Sequence, residues 1–408
     1  MKPTISIVLP TRNAGPQFGE LLDRLTSERS KTELELVVID SGSTDGTVDL
    51  ARKFAARVLE IPPVSFNHGL TRNLGIQNSS GEICVLLVQD ATPIAEDWLD
   101  ALIRPFGTDP MICGVTSRQV PRPTADVVTN WEVVNHNRIL GLEPNVRFIP
   151  DWSAFERLSF EKKLFLCNFD NVCSAIRRST WEEYPFRQLA FAEDLDWGVR
   201  VLQAGNKIAY EPGAGVIHSH ERPALYHLRR YYVSGKLVPK ILQCPAVATP
   251  SSDDPDLFGQ ISALLEEVFC SLFLWDQLNG HISGYEWRQW MTQAECLGFT
   301  IAANGRQKSD KMNRGSRKWL RLPDVLTAHS PSHTRVGNHP LRAHFFFLLR
   351  EVAEGVPDLD SALVLHIMVH CLARTLGGFL GAHYLWSERQ GRISPDLHAL
   401  DSMLSLGV

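Results

Sequence analysis

The chain has 408 residues, with 41 lysines and arginines against 46 aspartates and glutamates and a formal net charge of −5. At 44% hydrophobic residues it is long and apolar enough for two packed cores, which excludes a disordered chain, a collagen-like fibre and a small disulfide-stapled module. The acidic excess argues against a dedicated nucleic-acid binder, because neutralising phosphates needs a net basic face. We therefore expect no nucleic-acid partner.

Residues 1–240 alternate short β-branched runs with amphipathic stretches, a pattern typical of a mostly parallel sheet with helices on both faces. The predicted strands are, in chain order, Ile5–Leu9, Leu34–Ile39, Arg57–Ile61, Ile83–Val88, Cys113–Arg118, Val172–Arg177 and Lys207–Glu211. The predicted helices between them are Pro16–Ser27, Thr47–Ala56, Gly69–Asn78, Pro93–Phe106 and Glu193–Ala204. A turn is predicted at Glu211–Gly213. Polar residues at the carboxyl ends of such strands fall where open α/β sheets bind ligands.

The composition changes after the last predicted strand. A stretch rich in Pro, Ser and Asp, 245–255, predicts a linker. Helical periodicity then covers Leu257–Leu278, His344–Val352 and Leu359–Tyr384. We predict two domains, residues 1–244 with the sheet and residues 257–408 largely helical.

Three features of the sequence bear on where the protein is located. The eight cysteines are scattered through apolar surroundings without a Cys-x-x-Cys pair, which predicts reduced, buried thiols in a cytoplasmic protein. The most membrane-like stretch, 363–385, contains three histidines and Arg374, so we expect a buried or surface-lying helix and not a membrane span. Residues 306–321 hold seven Lys/Arg against one Asp, which predicts contact with an anionic membrane surface or, as the alternative, a solvated loop.

Candidate ligand-binding residues follow the second predicted strand. Asp40 ends that strand, and two glycines and Ser43 follow it before the next helix. A carboxylate at this point can accept hydrogen bonds from a base imide or a ribose, and Ser43 can cap the helix. The alternative is an ordinary β–α turn. Arg72, on the first turn of a later helix, can either fork onto a diphosphate or face solvent.

Acids and histidines stand at three further points. Asp90 follows a continuous apolar run and can hold Mg²⁺ or Mn²⁺, or act as a helix N-cap. Glu193 and Asp194 open a helix whose dipole stabilises them as anions, so that one can serve as base for a sugar hydroxyl. His218 alternates with His220 in an extended segment, and the imidazole of one or the other can supplement Asp90 on a metal.

Taken in this order, the motifs resemble the family 2 glycosyltransferases, especially their rhamnosyltransferase-like members. The segments that carry the resemblance are Leu9–Asn13, Val38–Asp45, His68–Asn73, Gln89–Ala91, Glu193–Asp194 and His218, within residues 3–235. The resemblance implies a GT-A fold, which is Rossmann-like with a mostly parallel sheet. It also implies a nucleotide-diphosphate sugar donor of UDP or dTDP type, a divalent cation (Mg²⁺ or Mn²⁺), and transfer with inversion at the anomeric carbon.

The resemblance further implies roles for single residues. Asp194 becomes the general base, supported by Glu193, and Asp90 with His218 becomes the metal site. The implied nucleotide-sugar contacts are Pro10, Thr11, Asn13, Asp40, Ser43, Arg72, Gln89, Arg229 and Arg230. Two departures concern the nucleotide: Val88 stands where the family's Asp-x-Asp has its first aspartate, and Ser41 follows Asp40 where many members have a second aspartate.

The expected acceptor is a saccharide or a lipid-linked saccharide, in polysaccharide or glycoconjugate synthesis at the cytoplasmic side of a membrane. Two alternatives stay open. A processive polysaccharide synthase subunit would share the domain, but His227–Tyr231 only faintly echoes a Gln-x-x-Arg-Trp signature. A non-catalytic nucleotide-sugar-binding scaffold would need neither Asp90 nor Asp194. A nicotinamide oxidoreductase is disfavoured because no Gly-x-Gly-x-x-Gly follows the first strand.

Overall fold

The computed structural model describes residues 4–27, 34–54, 56–244, 257–277, 281–283, 340–354, 356 and 358–406. The predicted linker 245–255 and the basic segment 306–321 lie outside these residues. The chain forms two compact units, one of residues 1–221 with 237–245 and one of residues 222–236 with 246–408. This division groups residues 222–236 with the C-terminal helices. Whether 1–244 and 257–408 fold as independent domains stays a prediction.

A nine-stranded mixed sheet forms the centre of the first unit. Its strands are β1 (Ile5–Thr11), β2 (Leu34–Asp40), β3 (Arg57–Glu60), β4 (Ile83–Leu87), β5 (Thr92–Pro93), β6 (Ile112–Val120), β7 (Asn145–Arg147), β8 (Cys173–Arg177) and β9 (Lys207–Ile217). They are ordered β3-β2-β1-β4-β8-β6-β9-β5, and β7 pairs with β9. The first four are parallel, β8 runs antiparallel between β4 and β6, and β6 and β9 are parallel to each other.

Helices cover both faces of this sheet. They are α1 (Phe18–Ser27), α2 (Thr47–Lys53), α3 (His68–Gln77), α4 (Trp98–Ile103), α5 (Val127–Leu140), α6 (Trp152–Glu156), α7 (Phe160–Cys167), α8 (Arg178–Glu183) and α9 (Glu193–Gln203). Val38 packs in one apolar cluster while its neighbours Val37 and Ile39 pack in the other, because successive strand side chains point to opposite faces. The expected α/β fold with helices on both faces of the sheet is confirmed. The sheet itself is mixed, because β5, β7 and β8 pair antiparallel with their neighbours.

Two local predictions were wrong. The helix predicted from Pro93 begins only at Trp98, because Thr92 and Pro93 pair with β9 as a short antiparallel strand. The turn predicted at Glu211–Gly213 lies inside β9, where the chain passes an irregularity in its pairing with β6 and continues to Ile217. Both differences lie next to predicted site residues, since β5 follows Asp90 and β9 ends just before His218.

The second unit is largely helical, as predicted. Its elements are α10 (Ala224–Ile241, of which 224–236 belong to this unit), α11 (Leu257–Gln277), β10 (His281–Ser283), α12 (Pro340–Ala353), β11 (Asp358–Asp360), α13 (Ser361–Arg389) and α14 (Pro395–Leu404). One helix among the described residues, Ala362–Arg389, is long and apolar enough to cross a membrane by length and composition, and 56% of its most apolar window is buried within the structure. Such a helix is weak evidence for a span, so its location stays a prediction.

The described cysteine side chains agree with the predicted reduced thiols. Six of them are free and buried, namely Cys84, Cys113, Cys167, Cys173, Cys244 and Cys371. Burial raises the pKa of the Cys84 thiol to about 11, so it is uncharged at neutral pH. The side chain of Cys270 and all of Cys296 lie outside the described residues.

Candidate active site

Asp40 shapes the loop between β2 and α2. Thr11 lies opposite it in the parallel pair of β1 and β2 and donates its hydroxyl to Asp40 Oδ1 at 3.0 Å. The backbone N–H groups of Gly42 and Ser43 donate to Oδ2 at 3.0 and 2.8 Å, and the Ser43 hydroxyl donates to Oδ1. Four donors fill the acceptor positions of this carboxylate, which is 1% exposed. A nucleotide that contacts Asp40 would have to displace one of them, and this contact stays a prediction.

Asn13 and Gln89 tie neighbouring loops together at the same edge of the sheet. The Asn13 N–H donates to Ser43 Oγ at 2.7 Å, and Asn13 Oδ1 accepts from the Thr44 N–H at 2.8 Å. Gln89 accepts from the Arg12 N–H at 2.8 Å and donates to the Arg12 carbonyl at 3.2 Å. The predicted nucleotide contacts Asn13, Ser43 and Gln89, which follow β1, β2 and β4, therefore lie on loops that are joined by hydrogen bonds.

Asp90, His218 and His220 form a cluster whose possible ligand atoms all lie within 4.8 Å of one another. His220 Nε2 is 3.1 Å from Asp90 Oδ2, and His218 Nε2 is 3.7 Å from Asp90 Oδ1. The pairing of Thr92 with Ile217 explains this meeting, because it brings the residues before β5 beside the residues after β9. The prediction left open whether His218 or His220 joins Asp90, and the structure brings both histidines to it.

The protonation of His218 suits a metal ligand. Burial lowers its pKa, Asp90 opposes this and His220 reinforces it, with a result of about 4. The ring is therefore neutral at pH 7, and neutral imidazole is the form that binds metals. Two imidazoles and a carboxylate within one coordination sphere fit a divalent cation.

Arg122 was missed by the sequence reasoning, and it holds the two metal-site segments together. Its guanidinium donates to the backbone carbonyls of Asp90, at 2.8 Å, and of Ser219. The backbone N–H of Arg122 also donates to the Ser219 hydroxyl at 3.1 Å. The guanidinium lies 4.0 Å from Asp90 Oδ2 and so adds positive charge beside the cluster. It follows the carboxyl end of β6, which is the only signal in the sequence that could have found it.

Asp194 lies on the first turn of α9, after Ala192 in the left-handed conformation with a φ of 60°. Its carboxylate accepts from the Leu195 N–H at 2.8 Å and from the Asn171 N–H at 3.4 Å. Burial, followed by the charges of Glu193 and Asp170, raises its pKa to about 7, although the charge of Arg72 acts the other way. A carboxyl group that titrates near neutral pH is well matched to general-base work.

Arg72 and Glu193 form a buried ion pair. Arg72 Nη1 lies 2.7 Å from Glu193 Oε1, and the two side chains are 5% and 9% exposed. Arg72 also donates to the carbonyls of His68 and Asn171 at 3.2 and 3.4 Å. Glu193 thus stands beside the predicted base as a partner of Arg72, and the predicted diphosphate contact of Arg72 stays a prediction.

Asp170, also missed, lies between the metal cluster and the base. Its charge acts on both Asp194 and His218. Burial alone would raise its pKa, but the hydrogen bond and charge of His136, with donors from Val172 and Gln119, lower it to about 2. Asp170 follows no recognisable motif, so only the fold reveals its place.

Three predicted nucleotide-sugar contacts remain. Pro10 lies within β1 opposite Ile39. Arg229 and Arg230 lie on the part of α10 that belongs to the second unit. Their contact with a nucleotide sugar stays a prediction.

Comparison with known proteins agrees with this chemistry. The sequence model for "Glycosyl transferase family 2" matches residues 6–184. The O-antigen chain rhamnosyltransferase RfbN of Salmonella typhimurium is 32% identical over 236 residues, which cover 57% of this chain and 71% of that protein. The O-antigen chain rhamnosyltransferase WbaN of Salmonella anatum is 30% identical over 237 residues, with the same coverage of 57% and 71%.

Solved structures show a weaker likeness. The mannosyltransferase PcManGT from Pyrobaculum calidifontis, in complex with GDP-Man and Mn²⁺, has a TM-score of 0.44 at 20% identity, covering 60% of this chain and 66% of that one. Glucosyl-3-phosphoglycerate synthase from Mycobacterium tuberculosis, in complex with Mn²⁺, UDP and glucosyl-3-phosphoglycerate, has a TM-score of 0.43 at 22% identity, covering 60% and 81%.

Proposed function

The chain belongs to glycosyl transferase family 2, and from that premise we propose that it moves one sugar, rhamnose or a related hexose, from a nucleoside-diphosphate donor to a hydroxyl of an acceptor. The acceptor would be a saccharide or a lipid-linked saccharide in polysaccharide synthesis, by analogy with the O-antigen relatives. One observation supports this most. Gln119 bridges Asp170 to His218 of the Asp90–His218–His220 cluster. The N–H of Asn171, the residue after Asp170, donates to the Asp194 carboxylate at 3.4 Å.

In the proposed reaction Asp194 takes the proton of the acceptor hydroxyl. The acceptor oxygen forms its bond to the anomeric carbon as the bond from that carbon to the diphosphate oxygen breaks. The nucleoside diphosphate leaves with the electron pair, so the configuration inverts and no covalent enzyme intermediate forms. Arg122, beside the metal cluster, adds a positive charge where the diphosphate gains negative charge.

Asp90, His218 and His220 would hold the cation, which supplies charge neutralisation for the leaving diphosphate. Mg²⁺ prefers oxygen ligands, whereas imidazole suits transition metals. A site with two imidazoles therefore favours Mn²⁺ over Mg²⁺. Replacing His220 by Ala should weaken Mn²⁺ binding, while His398→Ala, an exposed histidine on α14, serves as the matched control.

The decisive experiment screens UDP-, dTDP- and GDP-sugars for thermal stabilisation and for donor turnover, with and without Mn²⁺. We expect one nucleotide to stabilise the protein in a metal-dependent way, because a ligand that binds only the folded state raises its stability. Proton NMR of the product should show an anomeric configuration opposite to that of the donor. Retention of configuration, or no metal-dependent shift with any donor, would refute the proposal.

The same screen separates the alternatives. Long polymeric products would identify a processive synthase. Donor hydrolysis that persists unchanged in Asp194→Asn would exclude Asp194 as the base. Metal-dependent binding of a donor without any turnover would identify a non-catalytic binding role for this site.

A further inference from the structure

The Asn137 side chain holds the backbone of Gln119, which lies near the end of β6. The Asn137 side chain donates to the Gln119 carbonyl at 2.6 Å and accepts from the Gln119 N–H at 3.3 Å. Asn137 lies on α5, so a helix and a strand together fix the direction in which the Gln119 side chain leaves the sheet.

The Gln119 amide joins Asp170 to His218. Its Nε2 donates to Asp170 Oδ2, and its Oε1 lies 2.8 Å from His218 Nδ1. Asp170 also accepts from the Val172 N–H at 2.9 Å and lies 3.3 Å from His136 Nε2, which are contacts of the carboxylate form. A carboxylate can only accept, so the NH₂ group of Gln119 must face Asp170 and its oxygen must face His218.

The orientation of the amide determines the protonation of the imidazole. The Gln119 oxygen can only accept, so His218 Nδ1 must carry the proton. The other nitrogen, Nε2, then presents its lone pair where Asp90 and His220 lie, at 3.7 and 3.1 Å. Partners of this kind fix the tautomer and ring orientation of metal-binding histidines.

We propose that Gln119 is a positioning residue which, held by Asp170, fixes His218 as the Nδ1–H tautomer and so prepares its Nε2 for a divalent cation. This inference rests on the proposed function only for the identity of the cation. The amide carries no charge, so it transmits the orientation set by Asp170 without adding the negative charge that a directly bonded carboxylate would bring to the imidazole.

The test measures the His218 tautomer in the metal-free protein by ¹⁵N NMR of the imidazole, and the Mn²⁺ dissociation constant by calorimetry. The wild type should show the Nδ1–H form. Gln119→Leu, similar in size but without polar atoms, should lose the preference for one tautomer and weaken Mn²⁺ binding about 10- to 100-fold. Asp170→Asn can turn its own amide either way, so it releases the Gln119 amide from a single orientation and should weaken the preference for the Nδ1–H form. Gln203→Leu, at an exposed position on α9, is the matched control.

The outcomes separate the two proposals. An Nε2–H form in the wild type, or an unchanged tautomer in Gln119→Leu, overturns the role of Gln119 while leaving the transferase proposal intact. The tautomer of the wild type and of Asp170→Asn decides the question even if Gln119→Leu does not fold. A wild type with the expected tautomer but no turnover of any donor sugar would instead count against the proposed function alone.

Discussion

The carboxyl group of Asp194 should make the reaction depend on pH near neutrality. Burial and the charges of Glu193 and Asp170 raise its pKa to about 7, so about half of the groups are protonated at pH 7. The base must be ionised to accept a proton, so kcat/KM should rise about tenfold per pH unit below 7 and level off above it. The measurement is kcat/KM at saturating Mn²⁺ from pH 5 to 9.

The same profile should move when a neighbouring charge is removed. Asp170→Asn deletes one of the charges that raise the pKa of Asp194, so the rise in kcat/KM should shift to lower pH. The control is Asp196→Asn, which lies on the same helical turn as Asp194 but forms an ion pair with Arg200. It should leave the midpoint of the pH profile in place. A midpoint that stays near 7 in Asp170→Asn would show that another group controls the rate.

The buried pair of Arg72 and Glu193 should matter for stability. Glu193→Gln would leave the Arg72 guanidinium, which is 5% exposed, without its carboxylate, at a cost of about 3–5 kcal/mol. The double variant Arg72→Met/Glu193→Gln removes both charges and should recover most of that loss. Urea unfolding at pH 7 measures both, with Glu156→Gln, an exposed acid on α6, as control. A loss below about 1 kcal/mol for Glu193→Gln would contradict the argument.

At the scale of elements, two glycines let α10 and α13 approach closely in the second unit. A Cβ added at Gly381 would lie 2.1 Å from the Tyr232 carbonyl oxygen, and one at Gly377 would lie 2.3 Å from the Leu228 carbonyl oxygen. Both contacts are with backbone, which cannot move aside without separating the helices. Gly377 and Gly381 therefore serve helix packing.

Gly381→Ala should destabilise the second unit, because overpacking costs about 1–3 kcal/mol and outweighs the higher helix propensity of alanine, about 1 kcal/mol. Gly378 is the matched control on the same helix, since a Cβ there meets nothing within 4 Å. Gly378→Ala should stabilise the helix by up to about 1 kcal/mol. Urea unfolding followed by far-UV circular dichroism compares them, and equal effects of the two substitutions would exclude the packing argument.

Individual elements show what the sequence could predict. The strands β1, β2 and β4 are rich in apolar and β-branched residues, and their bounds were predicted to within two residues. Helix α5 was missed because Val127–Leu140 is rich in β-branched residues, and it begins where Asp126 accepts from the N–H groups of Val128 and Thr129. The antiparallel direction of β8 was also missed, because strand direction depends on the order of strands in the sheet.

Some residues of the candidate site could likewise be predicted from the sequence, and others could not. Asp90 was predicted because it follows a recognisable strand, and His218 because it alternates with His220 in an extended segment. The structure brings them together. Gln119, Arg122 and Asp170 were missed because the partners that place them in the site lie 32 to 99 residues away in the chain. No local pattern encodes a contact of that separation.

At the scale of the whole molecule, the acidic chain carries one strongly basic segment. Residues 306–321 hold seven Lys/Arg in a protein of net charge −5. Helix α13, in the second unit, also exposes Leu365 and Val369, 45% and 37% accessible, one turn apart on the same side. Basic charge together with exposed apolar side chains is the combination that binds anionic membrane surfaces.

We therefore expect the protein to co-sediment with anionic vesicles at low salt, to release at high salt, and to ignore neutral vesicles. Replacing Lys308, Lys311 and Lys318 by Gln should remove about 1 kcal/mol per charge, or about a hundredfold in affinity for the three. Lys53→Gln with Lys162→Gln, two exposed lysines of the first unit, is the control. If the triple variant binds as well as the wild type, the basic segment is not the membrane contact. If the wild type itself does not bind anionic vesicles at low salt, the predicted membrane contact is wrong.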